Sequence, residues 1–185
     1  LAAFDMNQPR DLPQKLYMNI LLASCMDSVG TAGLFAALTL ILYTKFGYFV
    51  SHPAEAALTS FGLIVFILIG LIIAIPSLRK NGAGYNAAFG NIATCCAQIL
   101  LIFCNEPGPY LAVLYIGVSL SFFSTVAYMP MLIEIAPPAM RGKVMGQFGA
   151  VSSFVNFIMP LSIAILADFL GNEVALAVCA AASFG

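Results

Sequence analysis

Ala56-Ala-Leu-Thr-Ser-Phe-Gly-Leu-Ile-Val-Phe-Ile-Leu-Ile-Gly-Leu-Ile-Ile-Ala-Ile75 is a run of twenty residues without one charged side chain. A helix rises 1.5 Å per residue, so about 20 apolar residues cross the roughly 30 Å hydrocarbon core of a bilayer. The run is closed by Pro76 and then by Arg79 and Lys80. It is read as a transmembrane helix that ends at Pro76.

Working outward, the same alternation recurs. Apolar stretches run about Tyr17–Tyr43, Ala56–Ile75, Tyr85–Cys104, Tyr110–Ile135 and Gly142–Asp168, and a sixth begins near Val174. Asn105-Glu106-Pro107-Gly108-Pro109 reads as a tight turn, and Pro137-Pro138 as a stop. Each stretch must be a helix, because a single strand in lipid leaves its backbone groups unpaired. A barrel would show alternating segments of about 10 residues, and none is present.

The basic residues sort by side. Arg10, Lys15, Arg79, Lys80, Arg141 and Lys143 fall in alternate breaks, against Lys45 alone in the others. Short cytoplasmic loops hold Lys and Arg, so the N-terminus is expected inside. The chain is 62% hydrophobic and 8% charged, with a mean hydropathy of +1.00, whereas a soluble domain carries about 25% charged residues. A net charge of -1 argues against a nucleic-acid partner. The expected class is an all-α, multi-pass membrane protein, a bundle of six transmembrane helices in contact with lipid. Residues 1–16 are read as a polar lead-in and residues 17–185 as the membrane domain. The chain starts at Leu1 and stops at Gly185, about a dozen residues into its last apolar stretch. It is therefore expected to be a piece of a longer protein.

Asp27 is the first candidate for function. It sits ten residues into the first stretch, about 15 Å along the helix and near the middle of the bilayer. A charge there costs at least about 2.5–3.5 kcal/mol, so the side chain should face protein or water. Ser24, Gly30 and Thr31 share its face. The expectation is a proton or substrate-cation site, against the plainer reading of a structural, hydrogen-bonded acid.

Two further stripes follow. Asn91, Thr94, Cys95 and Gln98 share one face of the third stretch, and Gly117, Ser121, Ser124 and Tyr128 one face of the fourth. Small and hydroxyl residues in lipid commonly mark helix–helix contact, and packing is the expected role of most of them. Gln98 and Tyr128 are the members most able to touch a polar solute. In the fifth stretch Gly142, Gly146, Gly149, Ser153, Asn156 and Pro160 fall within about 80° of one another. This is expected to be a close-packed seam, with Asn156 as its candidate solute contact and Pro160 as a possible kink.

The remaining polar groups point to no chemistry. Cys25, Cys95, Cys96, Cys104 and Cys179 form no zinc-type or redox pair, and no metal or cofactor is expected. His52 lies in an outer loop beside Pro53, and Asp168 and Glu173 flank another. An intramembrane enzyme would need paired aspartates or a Ser–His pair, which one membrane acid and one loop histidine do not supply.

The stretch Glu134-Ile-Ala-Pro-Pro-Ala-Met-Arg141-Gly142-Lys-Val-Met-Gly146-Gln-Phe-Gly149-Ala-Val-Ser-Ser, followed by Pro160 and Ala167-Asp168-Phe-Leu-Gly171, resembles the major facilitator superfamily. It is similar to the junction between the fourth and fifth helices of a six-helix half. The core Glu-Ile-Ala-Pro-x-x-x-Arg-Gly also resembles sugar porters. The loop Ile75–Gly84 keeps basic residues and a glycine but lacks the Asp of the family's first-half motif, which favours the C-terminal half. Phe157-Ile158-Met159 stand where the antiporter signature would place glycines, so that signature is not carried over.

The resemblance implies a secondary transporter in which two six-helix halves rock about a midplane site. The missing half would be the main partner, and a small solute, with a proton as candidate coupling ion, the cargo. The first, second, fourth and fifth helices would face the cavity, with Asp27, Tyr128 and Asn156 as contacts. Gly142 to Gly149 would form the sliding seam, and Glu134 with Arg141 a cytoplasmic gate pair. A non-transporting structural subunit of a membrane complex is the alternative. It has no reason to keep a midplane acid facing water.

Overall fold

The computed structural model of the chain describes residues 13–36, 42–47 and 53–184, and these are 94% helix with no strand among them. The elements are α1 (Gln14–Ala36), α2 (Leu42–Phe46), α3 (Pro53–Asn81), α4 (Ala83–Phe103), α5 (Pro107–Ile135), a 3-10 turn (Pro138–Met140), α6 (Arg141–Leu170) and α7 (Asn172–Phe184). α1, α3, α4, α5 and α6 are long and apolar enough to cross a membrane, while α7 is a shorter apolar helix.

The distribution of polarity is that of a protein in lipid. Leu58, Phe61, Ile64, Leu68, Ile72 and Ile73 along α3 stand exposed, while Ser24, Asp27, Asn86, Thr94, Gln98, Ser121 and Ser124 are buried. Water would reverse this arrangement. Lipid favours it, since apolar side chains lose nothing by facing acyl chains while polar ones find partners inside. Those partners are largely within or across the bundle. Thr94 Oγ1 donates to the Gly90 carbonyl at 2.9 Å, Ser119 Oγ to the Phe66 carbonyl at 2.6 Å, and Tyr115 Oη to the Thr59 carbonyl at 2.9 Å.

The helix boundaries correct the proline readings. α3 does not end at Pro76 but runs on to Asn81. Proline withdraws one donor, which strips only the Ile72 carbonyl of its partner, and membrane helices absorb that loss. Pro130 and Pro160 likewise lie inside α5 and α6. The loop assigned between Ile75 and Gly84 shrinks to Gly82, whose φ of 84° suits a residue without Cβ. Pro107 and Pro109 do not form a free turn; they open α5, with Pro107 in its first turn. Proline fits there because the first backbone N–H groups of a helix need no intrahelical acceptor. Pro137-Pro138 do stop α5, as expected. α1 starts at Gln14, inside the segment read as lead-in; of the first stretch, residues 37–41 lie outside the described residues, as do 1–12 and His52.

α5 sits at the centre, packing on α4, α3 and α1. Its closest approaches run through glycine on its neighbours. A Cβ on Gly70 of α3 would strike the Ser119 backbone, and one on Gly90 of α4 the backbone nitrogen of Ser124. The packing partners also have an internal symmetry. When α1, α3 and α4 are exchanged with α5, α6 and α7, the pair α1·α6 maps onto α5·α3, α1·α7 onto α5·α4, and α3·α4 onto α6·α7. The pairs α1·α5 and α4·α7 map onto themselves, whereas α1·α4 and α5·α6 have no counterpart among the main pairs.

Candidate functional site

Asp27 is 4% exposed, halfway along α1. Its Oδ1 accepts a 2.7 Å hydrogen bond from Ser124 Oγ of α5. The approach of α4 to α5 at Gly90 sets where Ser124 stands. The same hydroxyl also lies 2.8 Å from the Ser121 carbonyl. One proton thus has two acceptors. An ionised Asp27 accepts the hydrogen bond that Ser124 donates. A protonated Asp27 can donate to Ser124, whose own proton then goes to Ser121. The contact serves both protonation states of the acid without moving a heavy atom.

Beside Asp27 lies a cavity of about 120 Å³ lined by Ser24, Asp27, Ser28 and Thr31 of α1, Thr125 and Tyr128 of α5, and Phe148, Ser152 and Asn156 of α6. That volume is room for about four waters at ~30 Å³ each. The wall combines one carboxyl, several hydroxyls, one amide and two aromatic rings. Among the described residues Thr31 Oγ1 is buried with no hydrogen-bond partner. Tyr128 is held from behind: Asn91 Nδ2 of α4 donates to its Oη at 2.9 Å. The Tyr128 proton is thereby left free to donate.

Three of the four expected contact residues, Asp27, Tyr128 and Asn156, meet at this cavity. Asn156 is exposed on the open side, its Nδ2 3.5 Å from Ser152 Oγ. Gln98 lies elsewhere. It is fully buried, bonded to the Gly30 carbonyl, and approached by Ser183 Oγ at 3.4 Å. It ties α4 to α1 and α7, and is no part of the cavity wall. The stripe residue Asn91 reaches the site only through Tyr128, a link that helical spacing within one element cannot disclose. Ser124, taken from the sequence as a packing residue, is the direct partner of Asp27. Phe148 and Ser152, which line the wall, carry no sequence signal of their own.

The expected lining by four helices becomes three, because α3 contributes nothing to the wall. It lies on the far side of α5, held by the Ser119–Phe66 and Tyr115–Thr59 bonds. The α6 seam also differs from expectation. A Cβ on Gly142, Gly146 or Gly149 would meet nothing within 4 Å, and Phe157 beside Asn156 is 82% exposed. Within this chain the small face of α6 is open, and the opposite side packs: Val144 is buried with Tyr17, Tyr128 and Leu132. Arg141 Nε donates to the Ala136 carbonyl at 3.4 Å, and Glu134 is exposed, so the two do not pair here.

Compared with known proteins, the chain matches no family model, no curated sequence and no solved structure.

Proposed function

We propose that this chain is one six-helix half of a secondary transporter of the major facilitator type, carrying a small solute across a membrane by alternating access. The observation that carries the reading is a buried midplane carboxyl, Asp27, in the wall of a polar cavity between α1, α5 and α6. An acid held at that depth is costly in lipid and is best explained by a cargo that it binds. Two features support the reading. The exchange symmetry of the helix packing relates two three-helix units. Three is odd, so consecutive units enter the membrane from opposite sides, as in the inverted repeats of transporters. The open small-residue face of α6, with Gly142, Gly146, Gly149 and Asn156, provides a surface on which a second half closes the cavity. Pro160 lies further along the same helix, where a proline eases bending. Glu134 and Arg141, unpaired here, are free to make alternate contacts at the mouth as the halves rock.

The test is transport by the purified full-length protein in liposomes carrying an internal pH indicator, challenged with neutral, cationic and anionic small solutes. Solute-dependent flux that Asp27→Asn abolishes, with membrane insertion unchanged, is the expected result. Sealed vesicles that retain the protein and pass no solute would move it to the accessory-subunit class.

A further inference from the structure

Among the described residues, Asp27 is the one buried side chain of the Asp, Glu, Lys, Arg and His types. Lys15, Arg79, Lys80, Arg141 and Lys143 are exposed, Lys45 donates to the Cys104 carbonyl, and none of them lines the cavity. The elements packed around Asp27 bring no charge to it. α5 faces it with Ser124 and Tyr128, and α6 lines the same cavity with Phe148, Ser152 and Asn156. α4 reaches Tyr128 through Asn91, and α7 sets Cys179 and Ser183 against Gly33 and Gly30, further along α1. A buried carboxylate needs a compensating positive charge. The described residues supply one hydrogen bond, from Ser124, and no cation.

Resting on the transporter reading, we propose that the cavity binds a small organic cation, its ammonium group beside Asp27 and against the rings of Tyr128 and Phe148, in exchange for the proton on that carboxyl. Among the described residues only Ser124 bonds to Asp27, through Oδ1, which leaves the second oxygen as the anchor for the cation. Tyr128 and Phe148 provide aromatic faces, which attract ammonium groups most strongly where water is excluded. Hydroxyls of Ser24, Ser28 and Thr31 accept N–H donors where the cation carries them. A volume of about 120 Å³ admits a cation of a few heavy atoms rather than a drug-sized one. A basic side chain would be needed to hold an anion, and among the described residues none lines the cavity.

The exchange balances. The loaded site is a carboxylate plus a monovalent cation, and the unloaded site is a carboxylic acid, so each is neutral. Binding one cation releases one proton to water, and no bond other than O–H is broken. The empty, ionised site is the costly state in a low-dielectric midplane, and reorientation is therefore restricted to the two neutral ones. Ser124, able to donate to the carboxylate or accept from the acid, stabilises both.

The experiment uses the purified full-length protein with choline, whose charge is independent of pH, and 3,3-dimethylbutan-1-ol, its neutral carbon isostere. Calorimetry over a pH series, in buffers of different ionisation enthalpy, reads affinity and protons released, the count being taken on the acid side where the empty site carries its proton. Choline is expected to bind at least roughly tenfold more tightly than the isostere, with close to one proton released per choline. Asp27→Asn is expected to lose both effects, and Asp27→Glu to retain proton release. Equal binding of the isostere, or choline binding untouched in a monodisperse Asp27→Asn protein, overturns the proposal. Should Asp27→Asn fail to fold, proton release by wild type and Asp27→Glu decides alone, and its absence overturns the proposal. Choline binding with proton release but no flux in liposomes would leave this site standing and remove the transporter reading. Flux of a neutral or anionic solute that choline neither drives nor inhibits would do the reverse.

Discussion

Ser124 Oγ bridges Asp27 Oδ1, at 2.7 Å, and the Ser121 carbonyl, at 2.8 Å, across the contact of α1 with α5. A hydrogen bond to a charged group contributes about 1.5–3 kcal/mol. Ser124→Ala removes that bond and leaves no bulk in its place. Transport is expected to fall by roughly tenfold or more, with surface expression near normal. Flux measured in vesicles at matched protein density checks this, and an unchanged rate would reduce the pair to scaffolding.

Asn91 acts one step behind the cavity, through its 2.9 Å bond to Tyr128 Oη. Asn91→Ala frees the ring hydroxyl to turn, and Tyr128→Phe deletes it. Both variants are expected to weaken solute binding by about 1 kcal/mol, some fivefold, since each costs one neutral hydrogen bond. If the role of Asn91 is to position Tyr128, the double variant is no worse than Tyr128→Phe alone. Additive losses in the double-mutant cycle would show that Asn91 works independently.

Glycines of the two kinds separate folding from assembly. Gly90→Leu would drive a side chain into the Ser124 backbone. Such overpacking typically costs about 1–3 kcal/mol or more, and lowered thermal stability is expected. A Cβ on Gly146 has open space for 4 Å around it among the described residues, so Gly146→Leu starts on an open face. It is expected to leave the stability of this half intact and to impair transport by the full-length protein. Val144→Leu, two residues away, enters the cluster of Tyr17, Tyr128 and Leu132. It should behave like Gly90→Leu rather than as a silent control. Thermal unfolding and flux measured on all three variants check the pattern, and equal flux for wild type and Gly146→Leu would remove the α6 face as an interface.

Orientation is tested by single-cysteine reporters. Asn81, at the end of α3, and Ala139, in the turn between α5 and α6, are expected to label from the cytoplasm. Gly108, at the start of α5, should label from the other side. Same-side labelling of Asn81 and Gly108 would mean that α4 does not cross the membrane.

Most of the helical architecture was readable along the chain. Hydropathy located every long helix, because in lipid each span must satisfy its own backbone and be apolar over a fixed length. Asp27 was readable for a related reason: a charge at mid-span is costly wherever the neighbouring helices lie. Prolines misled at Pro76 and Pro107, since a missing donor ends a helix in water but opens or merely weakens one here. Partnership was beyond reach. That Ser124 meets Asp27, that Asn91 supports Tyr128, and that Gln98 turns away to the Gly30 carbonyl all depend on how α4 and α5 rotate against α1. Helical periodicity assigns residues to faces but not faces to neighbours. The glycines make the point most clearly. Gly90 and Gly146 are alike in sequence, yet one is filled by the Ser124 backbone and the other lies open. Small residues permit close approach anywhere, and only the summed packing of the bundle decides where it occurs.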